Sequence, residues 1–440
     1  MRVAIYTLGC KVNQYETQAM EQELVKRGHE LVAFTDTADA YIVNTCSVTA
    51  VSDKKSRQMI RRCKKGNPDA VIAACGCYVQ THAEEAKKLG IELVAGTAGR
   101  MEFLDLLEQA YAQRKQLTLL DDALKRKEFE VLPAGGMTTR TRAMLKVEDG
   151  CQNFCTYCII PFARGPVRSV PMDIAVEQAE KLRQEGYREI VVTGIEISSY
   201  GRDFGDGTTL IDLLEKLSEA AGEMRIRLGS LEPRTITEDF CRRAAKLSNL
   251  CPHFHLSLQS GCDETLKRMN RRGTGEEIRA LFRTLRRRIP GLVLRTSLIT
   301  GLPYEDEAAF DELCDFLREV KIQRAGAFPY SPEEGTPAAE MPNRVDTEEA
   351  QRRAELVVDV QSAVIDEFNE SRLGDVAEVL CDGYDEQSML FVGRSYAESP
   401  DIDGRIYFSA EREVKTGEFV NVRLTGTMDG ELTGELYEEG

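Results

Sequence analysis

The sequence predicts an α/β protein in three parts: an N-terminal parallel α/β domain, a central partial (β/α)6 barrel and a small C-terminal antiparallel β-barrel. Apolar runs alternate with helical patterns over residues 1–112, and the alternation repeats six times within residues 140–371. Short strands separated by glycine-rich turns fill residues 372–440. Residues 113–139 are polar and glycine-containing, so we expect a linker there.

Composition sets the broad class. The 440 residues are 42% apolar and 30% charged, as in ordinary globular proteins. No apolar run is long enough to span a membrane, so we expect a cytoplasmic protein with no membrane partner. The 13 cysteines lack the spacing of a secreted disulfide framework, which favours metal or cluster ligation in a reducing compartment. The net charge of −16 argues against uniform coating of nucleic acid, but it permits local basic sites.

In the N-terminal domain, three apolar runs (residues 3–10, 41–46 and 71–77) end in cysteines. Helical patterns over residues 15–27 and 52–65 separate them, which predicts a parallel sheet. Ligands gather at the carboxyl ends of such strands. Cys10, Cys46 and one of Cys75 or Cys77 could therefore converge and hold a cluster with one open iron. The alternative for any one of them is a small buried residue where strand meets helix.

The central domain has six β-rich runs, at residues 144–147, 189–193, 225–229, 253–258, 292–299 and 325–330. Helical patterns lie between them, for example at residues 173–185, 210–221, 275–288 and 306–320. Six strand–helix units indicate a curved parallel sheet short of a full eight-fold barrel, with its chemistry at the carboxyl ends of the strands.

Three cysteines follow the first of these strands: Cys151, Cys155 and Cys158, spaced Cys-x-x-x-Cys-x-x-Cys. Three thiolates can hold three irons of a 4Fe–4S cube and leave the fourth open to another ligand. Zinc fits less well, because no second Cys-x-x-Cys pair and no histidine pair follows. Three unrelated buried thiols are the remaining alternative.

This loop closely resembles the cluster loop of the radical S-adenosylmethionine (SAM) enzymes, in which the amino and carboxylate groups of SAM chelate the open iron. Residues 6–16, 44–46 and 76–80 resemble the three cysteine boxes of the radical-SAM methylthiotransferases. That resemblance selects Cys77 rather than Cys75 as the third N-terminal ligand. It implies two 4Fe–4S clusters, with SAM as radical source and methyl donor, and an electron donor such as flavodoxin or ferredoxin.

Other strand ends offer polar candidates for SAM. Gly194 and Glu196 follow the second central strand, and an accessible backbone beside a carboxylate suits an ammonium group. Gln259 ends the fourth strand, and Arg295 on the fifth could pair with the SAM carboxylate. Polar residues at strand ends are more often caps or turns.

The resemblance points to two substrate classes. Residues 1 to about 290 are similar to the MtaB type, which modifies threonylcarbamoyladenosine in tRNA, whereas residues 330–336 and 393–397 resemble the RimO type, which modifies an aspartate of a basic ribosomal protein. The favoured expectation is a transferase acting on a tRNA anticodon stem-loop, through Cys151, Cys155 and Cys158 as catalytic cluster ligands. Its rivals are the ribosomal-protein enzyme and a non-catalytic cluster-bearing RNA-binding or sensor protein.

Charge is unevenly distributed along the chain. Residues 53–65 contain seven basic residues and residues 267–288 contain nine, so we expect both to contact RNA phosphates, with a solvated helix face as the alternative. The tail resembles a TRAM domain. However, residues 372–440 hold six basic and sixteen acidic residues, which is unusual for a module that grips RNA.

Overall fold

A computed structural model describes residues 1–136, 141–400 and 402–438. Over these residues it confirms the α/β class and the three-part architecture. Three short pieces of the predicted domains lie outside the described residues. They are the end of the predicted linker with the first residue of the predicted central domain (137–139 and 140), and residues 401 and 439–440 of the predicted C-terminal domain. Among the helices that are described, none combines the length and apolarity needed to cross a membrane.

The N-terminal part is a six-stranded parallel sheet with the order β2-β1-β3-β4-β5-β6. Its strands are β1 (Arg2–Thr7), β2 (Glu30–Leu31), β3 (Ala40–Thr45), β4 (Val71–Gly76), β5 (Leu93–Ala95) and β6 (Leu117–Leu119). Its helices are α1 (Lys11–Lys26), α2 (Ala50–Gly66), α3 (Cys77–Thr81), α4 (Ala83–Lys88) and α5 (Arg100–Gln113). Helices cover both faces, which is why β3 and β4 are buried at every position and read as continuous apolar runs.

The segment predicted as a linker is partly structural. Strand β6 lies inside it and pairs in parallel with β5, so the sheet extends to Leu119. Three half-exposed or exposed residues at a sheet edge carry too little pattern to be recognised in the sequence. Further along, Leu132 belongs to the central core, and its carbonyl accepts a 2.5 Å hydrogen bond from the Tyr15 hydroxyl. This segment therefore fastens the first two domains together.

The central part contains the six predicted strands: β7 (Arg142–Lys146), β10 (Glu189–Thr193), β11 (Arg225–Leu228), β13 (His253–Gln259), β14 (Val293–Thr300) and β15 (Arg324–Pro329). The short strands β8 (Glu148–Asp149), β9 (Arg168–Ser169) and β12 (Ser230–Leu231) accompany them. The sheets β7-β10-β11 and β12-β13-β14-β15 are parallel throughout. Together they form the expected open, partial barrel.

Helices pack on the outside of these strands. They are α6 (Ile160–Arg164), α7 (Met172–Gln184), α8 (Leu210–Ala221), α9 (Glu238–Ala244), α10 (Asp263–Arg268), α11 (Gly275–Arg288), α12 (Glu307–Val320) and α13 (Thr347–Ser371). The bounds predicted for α8 and α11 are those observed, because both helices begin at a threonine capping box, Thr209 with Asp212 and Thr274 with Glu277.

The C-terminal part is a closed five-stranded barrel in the order β16-β17-β18-β20-β19. Its strands are β16 (Val376–Asp385), β17 (Leu390–Arg394), β18 (Ile406–Ser409), β19 (Phe419–Met428) and β20 (Glu431–Leu436). Two features differ from the prediction. Strand β20 was not anticipated, and the β18–β20 pair is parallel, whereas the other pairs are antiparallel as expected.

The C-terminal barrel is docked on the amino ends of the central strands. Arg225 of β11 donates to the Glu378 carbonyl at 2.7 Å, and Arg227 donates to the Tyr396 carbonyl at 2.8 Å. Glu189, at the start of β10, is fully buried between Arg227 and Arg394. The acidic barrel thus closes the end of the central domain that lies opposite the Cys151 loop.

Candidate active site

The three predicted N-terminal ligands lie at one edge of the first sheet. Cys10 caps α1 directly after β1, Cys46 follows β3 and Cys77 begins α3 directly after β4. Strands β1, β3 and β4 are adjacent in the sheet, so their carboxyl ends place the three loops side by side. Gly9 has a φ of +101° and a Cβ at this position would come within 2.8 Å of Cys46 Sγ, so the Cys10 loop can approach Cys46 only with glycine there.

Polar side chains fix these loops. The Asn13 amide donates to the Leu8 carbonyl at 2.7 Å and to the Thr45 carbonyl at 2.9 Å, joining the Cys10 and Cys46 loops. The Asn13 side-chain oxygen accepts a 2.7 Å bond from Arg164 of the central domain. Burial raises the pKa of Cys46 to about 12, so its thiolate form needs a positive partner or a metal.

The central cysteine loop is held from both ends. The Cys151 amide donates to the Gly165 carbonyl at 3.0 Å, and the Thr156 amide donates to the Met269 carbonyl at the same distance. Phe154 adopts a positive φ of 48°, which turns the chain between the first two cysteines. All three thiols are half-buried and free of disulfides. Burial raises the pKa of both Cys151 and Cys158 to about 12.

Arg271, one of the nine basic residues within residues 267–288 that the sequence analysis expected to contact RNA phosphates, contacts this loop instead. Arg271 lies with Nη1 3.7 Å from Cys155 Sγ, donates to Glu232 at 2.6 Å and also bonds the Ser257 carbonyl. Because Arg271 follows α10, more than a hundred residues after the cysteines, no local motif could have identified it. A guanidinium beside a cysteine sulfur is suited to an anionic cluster.

The two cysteine sets both lie near the junction of the first two domains. The charges of Cys155 and Cys77 add to the effect of burial on the pKa of Cys158, which brings Cys77 of the first domain within electrostatic range of the central loop. The domains are joined beside this point, since Thr97 Oγ1 donates to the Ala163 carbonyl at 2.6 Å. The first two domains therefore meet beside both cysteine loops.

The number and grouping of the thiols suit two cubane clusters. Among the described residues, no three His, Cys, Asp or Glu side chains lie close enough to hold one metal ion. A 4Fe–4S cube takes one thiolate per iron, so its ligands stand apart from one another. Six thiols in two sets of three, with Arg164 and Arg271 nearby, can supply three thiolates to each of two cubes.

A buried charge network joins the domains beneath both sets. The Glu16 carboxylate, 1% exposed, accepts hydrogen bonds from Arg100 at 2.8 Å, from Lys146 at 3.2 Å and from Arg164. Lys146 also binds Asp149 at 2.8 Å. Burial alone would raise the pKa of Glu16, but Arg100 and Arg164 outweigh it and hold that pKa well below its usual range.

The structure brings the predicted residues Gly194 and Glu196 close to the central loop. The Glu196 amide donates to the Glu148 carboxylate at 2.7 Å, and the Glu196 carboxylate accepts from the Ser198 amide at 3.1 Å. A Cβ on Gly194 would come within 2.8 Å of Glu148 Oε2. Both carboxylates act on the pKa of Cys151.

Glu148 is a site residue that the sequence analysis missed. It is fully buried, its Oε1 atom has no hydrogen-bond partner among the described residues, and burial raises its pKa well above the usual range. An orphan carboxylate oxygen beside the cluster loop suits the ammonium group of SAM. The sequence of the two-residue strand β8 contains no pattern that indicates a SAM contact at Glu148.

The two other predicted SAM contacts, Gln259 and Arg295, lie towards opposite ends of the central strands. Gln259 ends β13 with a positive φ of 71°, a strained position of the kind found at binding sites. Arg295 lies in the amino-terminal half of β14, bonded to Asp403 of the C-terminal barrel at 3.2 Å and 3.3 Å from His255 Nδ1. This placement argues against the predicted pairing of Arg295 with the SAM carboxylate, because the cysteines are at the opposite ends of the strands.

The two predicted phosphate-binding stretches differ in how many of their basic side chains are paired with acids. On α2 six of the seven basic side chains are exposed, and five of these pair with no described acid: Lys54, Lys55, Arg61, Arg62 and Lys65. On α11 most are neutralised, through Arg279–Glu319 at 2.7 Å, Arg283–Glu276 at 2.7 Å and Arg288–Glu238 at 2.6 Å. The α2 face is therefore the stronger anionic-ligand surface of the two.

Comparison with known families matches all three parts. Residues 2–96 match a family described as "Uncharacterized protein family UPF0004", residues 145–317 match the radical SAM superfamily and residues 373–436 match the TRAM domain. The radical SAM match contains Cys151, Cys155 and Cys158, and the first match contains Cys10, Cys46 and Cys77.

Two kinds of curated relative are similar over nearly the whole chain. Threonylcarbamoyladenosine tRNA methylthiotransferase MtaB of Bacillus subtilis is 38% identical over 89% of this chain and 88% of its own length. Ribosomal protein uS12 methylthiotransferase RimO of Acetivibrio thermocellus is 34% identical over 100% of this chain and 99% of its own. The radical SAM methyltransferase TsrM of Kitasatospora setae shares the fold, with a TM-score of 0.56, 14% identity, and coverage of 74% of this chain and 72% of its own.

Proposed function

Since this chain belongs to the radical-SAM methylthiotransferase family, we propose that it inserts a methylthio group at C2 of threonylcarbamoyladenosine beside the tRNA anticodon. The cofactors are two 4Fe–4S clusters and SAM, which supply the electron for reductive SAM cleavage, the transferred sulfur and the methyl group. The six cysteines would hold the clusters, and an electron carrier such as flavodoxin or ferredoxin would reduce them. The site of action would be the cytoplasm, where tRNA is modified.

The protein's own residues prepare the site. In this proposal Arg271 would orient Cys155, Glu148 and Glu196 would receive the SAM ammonium, and the Glu16 network would hold the first two domains together. The carbon to be modified must be held between those sets and screened from water, because a carbon radical reacts with whatever is nearest. A loop base can reach such a position after unstacking.

The observation that carries the tRNA proposal is the unpaired basic face of α2. The helix begins at its cap Thr49, three residues after Cys46, so its exposed lysines and arginines extend outwards from the cluster edge. Phosphates on either side of an unstacked base would meet these charges. For about five single-strand phosphate contacts, log affinity should fall with log salt at a slope near −3.5.

Binding of tRNA to charge-reversal variants tests this proposal. Changing Lys55, Arg61 and Arg62 to glutamate should reduce the salt slope to roughly −1.5, since each lost contact removes about 0.7. Changing Arg279, Arg283 and Arg288, already paired with acids, is the matched control and should leave the slope within about 0.7 of wild type. The companion experiment is nucleoside analysis of tRNA from a strain lacking the gene, where the methylthio nucleoside should be missing.

One observation favours the ribosomal-protein alternative. The C-terminal barrel is acidic, with ten more acidic than basic residues over residues 372–440, and such a surface attracts a basic protein. Mass analysis of the small-subunit ribosomal proteins from the same strain separates the two activities. A missing modification there, with tRNA nucleosides unchanged, would replace the tRNA proposal with the protein-modifying one.

A further inference from the structure

The inner face of strand β15 borders open space. Ala325 and Ala327 pack against the core that includes Val357 of α13, so they lie on the side of the strand that the helices cover. Because side chains alternate along a strand, Gly326 and Phe328 lie on the other side, inside the partial barrel. A Cβ atom at Gly326 would meet no described atom within 4 Å. The interior of the barrel is therefore unfilled in front of this glycine.

Phe328 is an exposed aromatic residue near the carboxyl end of β15. It is 59% exposed, and its neighbour in register on β14 is Ile299. Ile299 packs against the same small apolar cluster as Tyr157, which belongs to the cysteine loop between Cys155 and Cys158. Phe328 thus lies at the end of the central strands where the cysteine loop is found.

The chain beyond Phe328 contacts the loops of both cysteine sets. The Ser331 hydroxyl accepts a 3.0 Å hydrogen bond from the amide of Ala50, the first residue of α2. Further on, the Ala338 amide donates to the Thr156 carbonyl at 2.9 Å. Ser331 is three residues beyond Phe328, a separation of at most about 11 Å along the chain. Phe328 therefore lies close to the junction of the first two domains.

Other exposed apolar side chains and the cations of α2 lie beside this junction. Val48 and Val51 are 48% and 61% exposed, just before α2 and in its first turn. Val51 precedes Lys54 by three residues and Lys55 by four, so these three side chains share one face of the helix. Apolar surface beside exposed cations suits a planar ring that is attached to phosphates, which is the chemistry of a nucleotide.

We propose that the unstacked base of the substrate tRNA stacks on the Phe328 ring and occupies the open space in front of Gly326. This inference rests on the proposed tRNA function and adds a positioning residue to that site. The phosphates on either side of the base would then meet the cations of α2. Since every base has an aromatic face, Phe328 would hold the base in place without selecting its identity.

Binding of an anticodon stem-loop to the reconstituted protein at several salt concentrations tests the stacking contact. Phe328→Ala should weaken binding about tenfold to a hundredfold and leave the salt slope unchanged, because stacking releases no counterions. Phe328→Tyr should bind as wild type, whereas Phe328→Leu, which is apolar but has no ring, should bind as weakly as Phe328→Ala. Val25→Ala is the control, because Val25 is 57% exposed in the last turn of α1, far from the cysteines.

Gly326→Val tests the open space independently. Gly326 does not need a left-handed backbone, and valine is favoured in strands, so this variant should fold with an unchanged melting temperature. Its side chain would fill the space in front of β15, so stem-loop binding should weaken about as much as in Phe328→Ala.

Full stem-loop affinity in both Phe328→Ala and Gly326→Val would overturn the proposal. So would weakened SAM binding in these variants with stem-loop affinity intact, since the ring would then serve the adenine of SAM. Wild-type affinity in Phe328→Leu would also overturn it, because any apolar side chain would then suffice. Failure of the proposed function gives a different result: wild type itself would not bind the stem-loop, and would instead bind the ribosomal protein.

Discussion

The Arg271 guanidinium lies 3.7 Å from the Cys155 sulfur and donates to the Glu232 carboxylate at 2.6 Å. One side chain thus connects the loop after α10 to the cysteine loop that follows β7. Reduction potentials of iron–sulfur clusters depend on charge and hydrogen bonding at their sulfurs. Arg271 would therefore tune the potential of a cluster bound on this loop.

Replacing Arg271 with glutamine should make that cluster harder to reduce. Loss of a positive charge disfavours the more negative, reduced state, so the potential should fall by up to roughly 100 mV. A redox titration followed by electron paramagnetic resonance measures the shift. The adjacent Arg272 is exposed, and Arg272→Gln should leave the potential unchanged. Equal potentials in wild type and Arg271→Gln would remove Arg271 from this role.

Iron content should report two independent clusters. Reconstituted wild type should hold about eight irons, two cubes' worth. Changing Cys151, Cys155 and Cys158 to alanine should halve the iron and abolish SAM cleavage. Changing Cys10, Cys46 and Cys77 should also halve the iron, yet leave SAM cleavage intact. Full iron content in the second triple variant would contradict the two-cluster interpretation.

Cys75 and Cys77 should differ sharply although one residue separates them. Cys75 is packed in the sheet core with Ala73 and Leu93, whereas Cys77 begins α3 at the cluster edge. Cys75→Ala, and likewise Cys63→Ala on the buried face of α2, should therefore retain both clusters. Cys77→Ala should lose one. Iron and sulfide assays measure the cluster content of each variant. Loss of a cluster in Cys75→Ala but not in Cys77→Ala would make Cys75 the third ligand.

Glu16 should be essential to the junction of the first two domains. Glu16→Gln leaves Arg100, Lys146 and Arg164 buried without their shared counter-charge, which should cost about 3–5 kcal/mol. Chemical denaturation measures the loss. Glu23→Gln on the same helix removes only surface pairs with Lys26 and Arg27 and should cost less than about 1 kcal/mol. Similar losses of unfolding free energy in the two variants would show that the buried network stabilises the fold no more than a surface ion pair does.

The same network predicts loss of stability in acid. Burial would raise the pKa of Asp149, but Lys146 and Arg164 outweigh it and lower that pKa to about 2; Glu16 is shifted in the same direction. Groups with depressed folded-state pKa values stabilise the fold above their unfolded values, near pH 4, and lose that contribution as pH falls towards 2. Melting temperature should drop across this window, and Glu16→Gln should flatten the drop. A pH-independent melting temperature between 4 and 2 would contradict this linkage.

The sequence predicted best where the signal was local. The starts of α8 and α11 are marked in the sequence because Thr209 and Thr274 each form a capping box, which begins the helix at a defined residue. The cysteine sets could be located because parallel strands deliver their carboxyl ends to one edge. Both kinds of information lie within a few residues of the feature they specify.

Interactions between distant residues could not be predicted in this way. Arg164 meets Glu16 across 148 residues, and Arg295 meets Asp403 across 108. Nothing near Arg295 in the sequence indicates an acid on a different domain, so its position on a strand suggested a ligand contact instead. Glu148 was missed for a related reason, since a buried carboxylate and an exposed one look alike in a sequence.

The docking of the C-terminal barrel has a consequence for building chimeras. Arg225 and Arg227 of the central domain hold carbonyls of the barrel, and Glu189 is covered by its Arg394. A barrel transplanted from a relative at residue 372 would have to supply the same carbonyl acceptors and an arginine in place of Arg394. Otherwise the charges of Arg225, Arg227 and Glu189 would be left without these partners at the domain junction. Only the surface of the C-terminal barrel that faces away from the central domain can therefore be exchanged freely between relatives. Exchange of substrate preference between relatives should be attempted by grafting outer loops, with the docking face of the recipient retained.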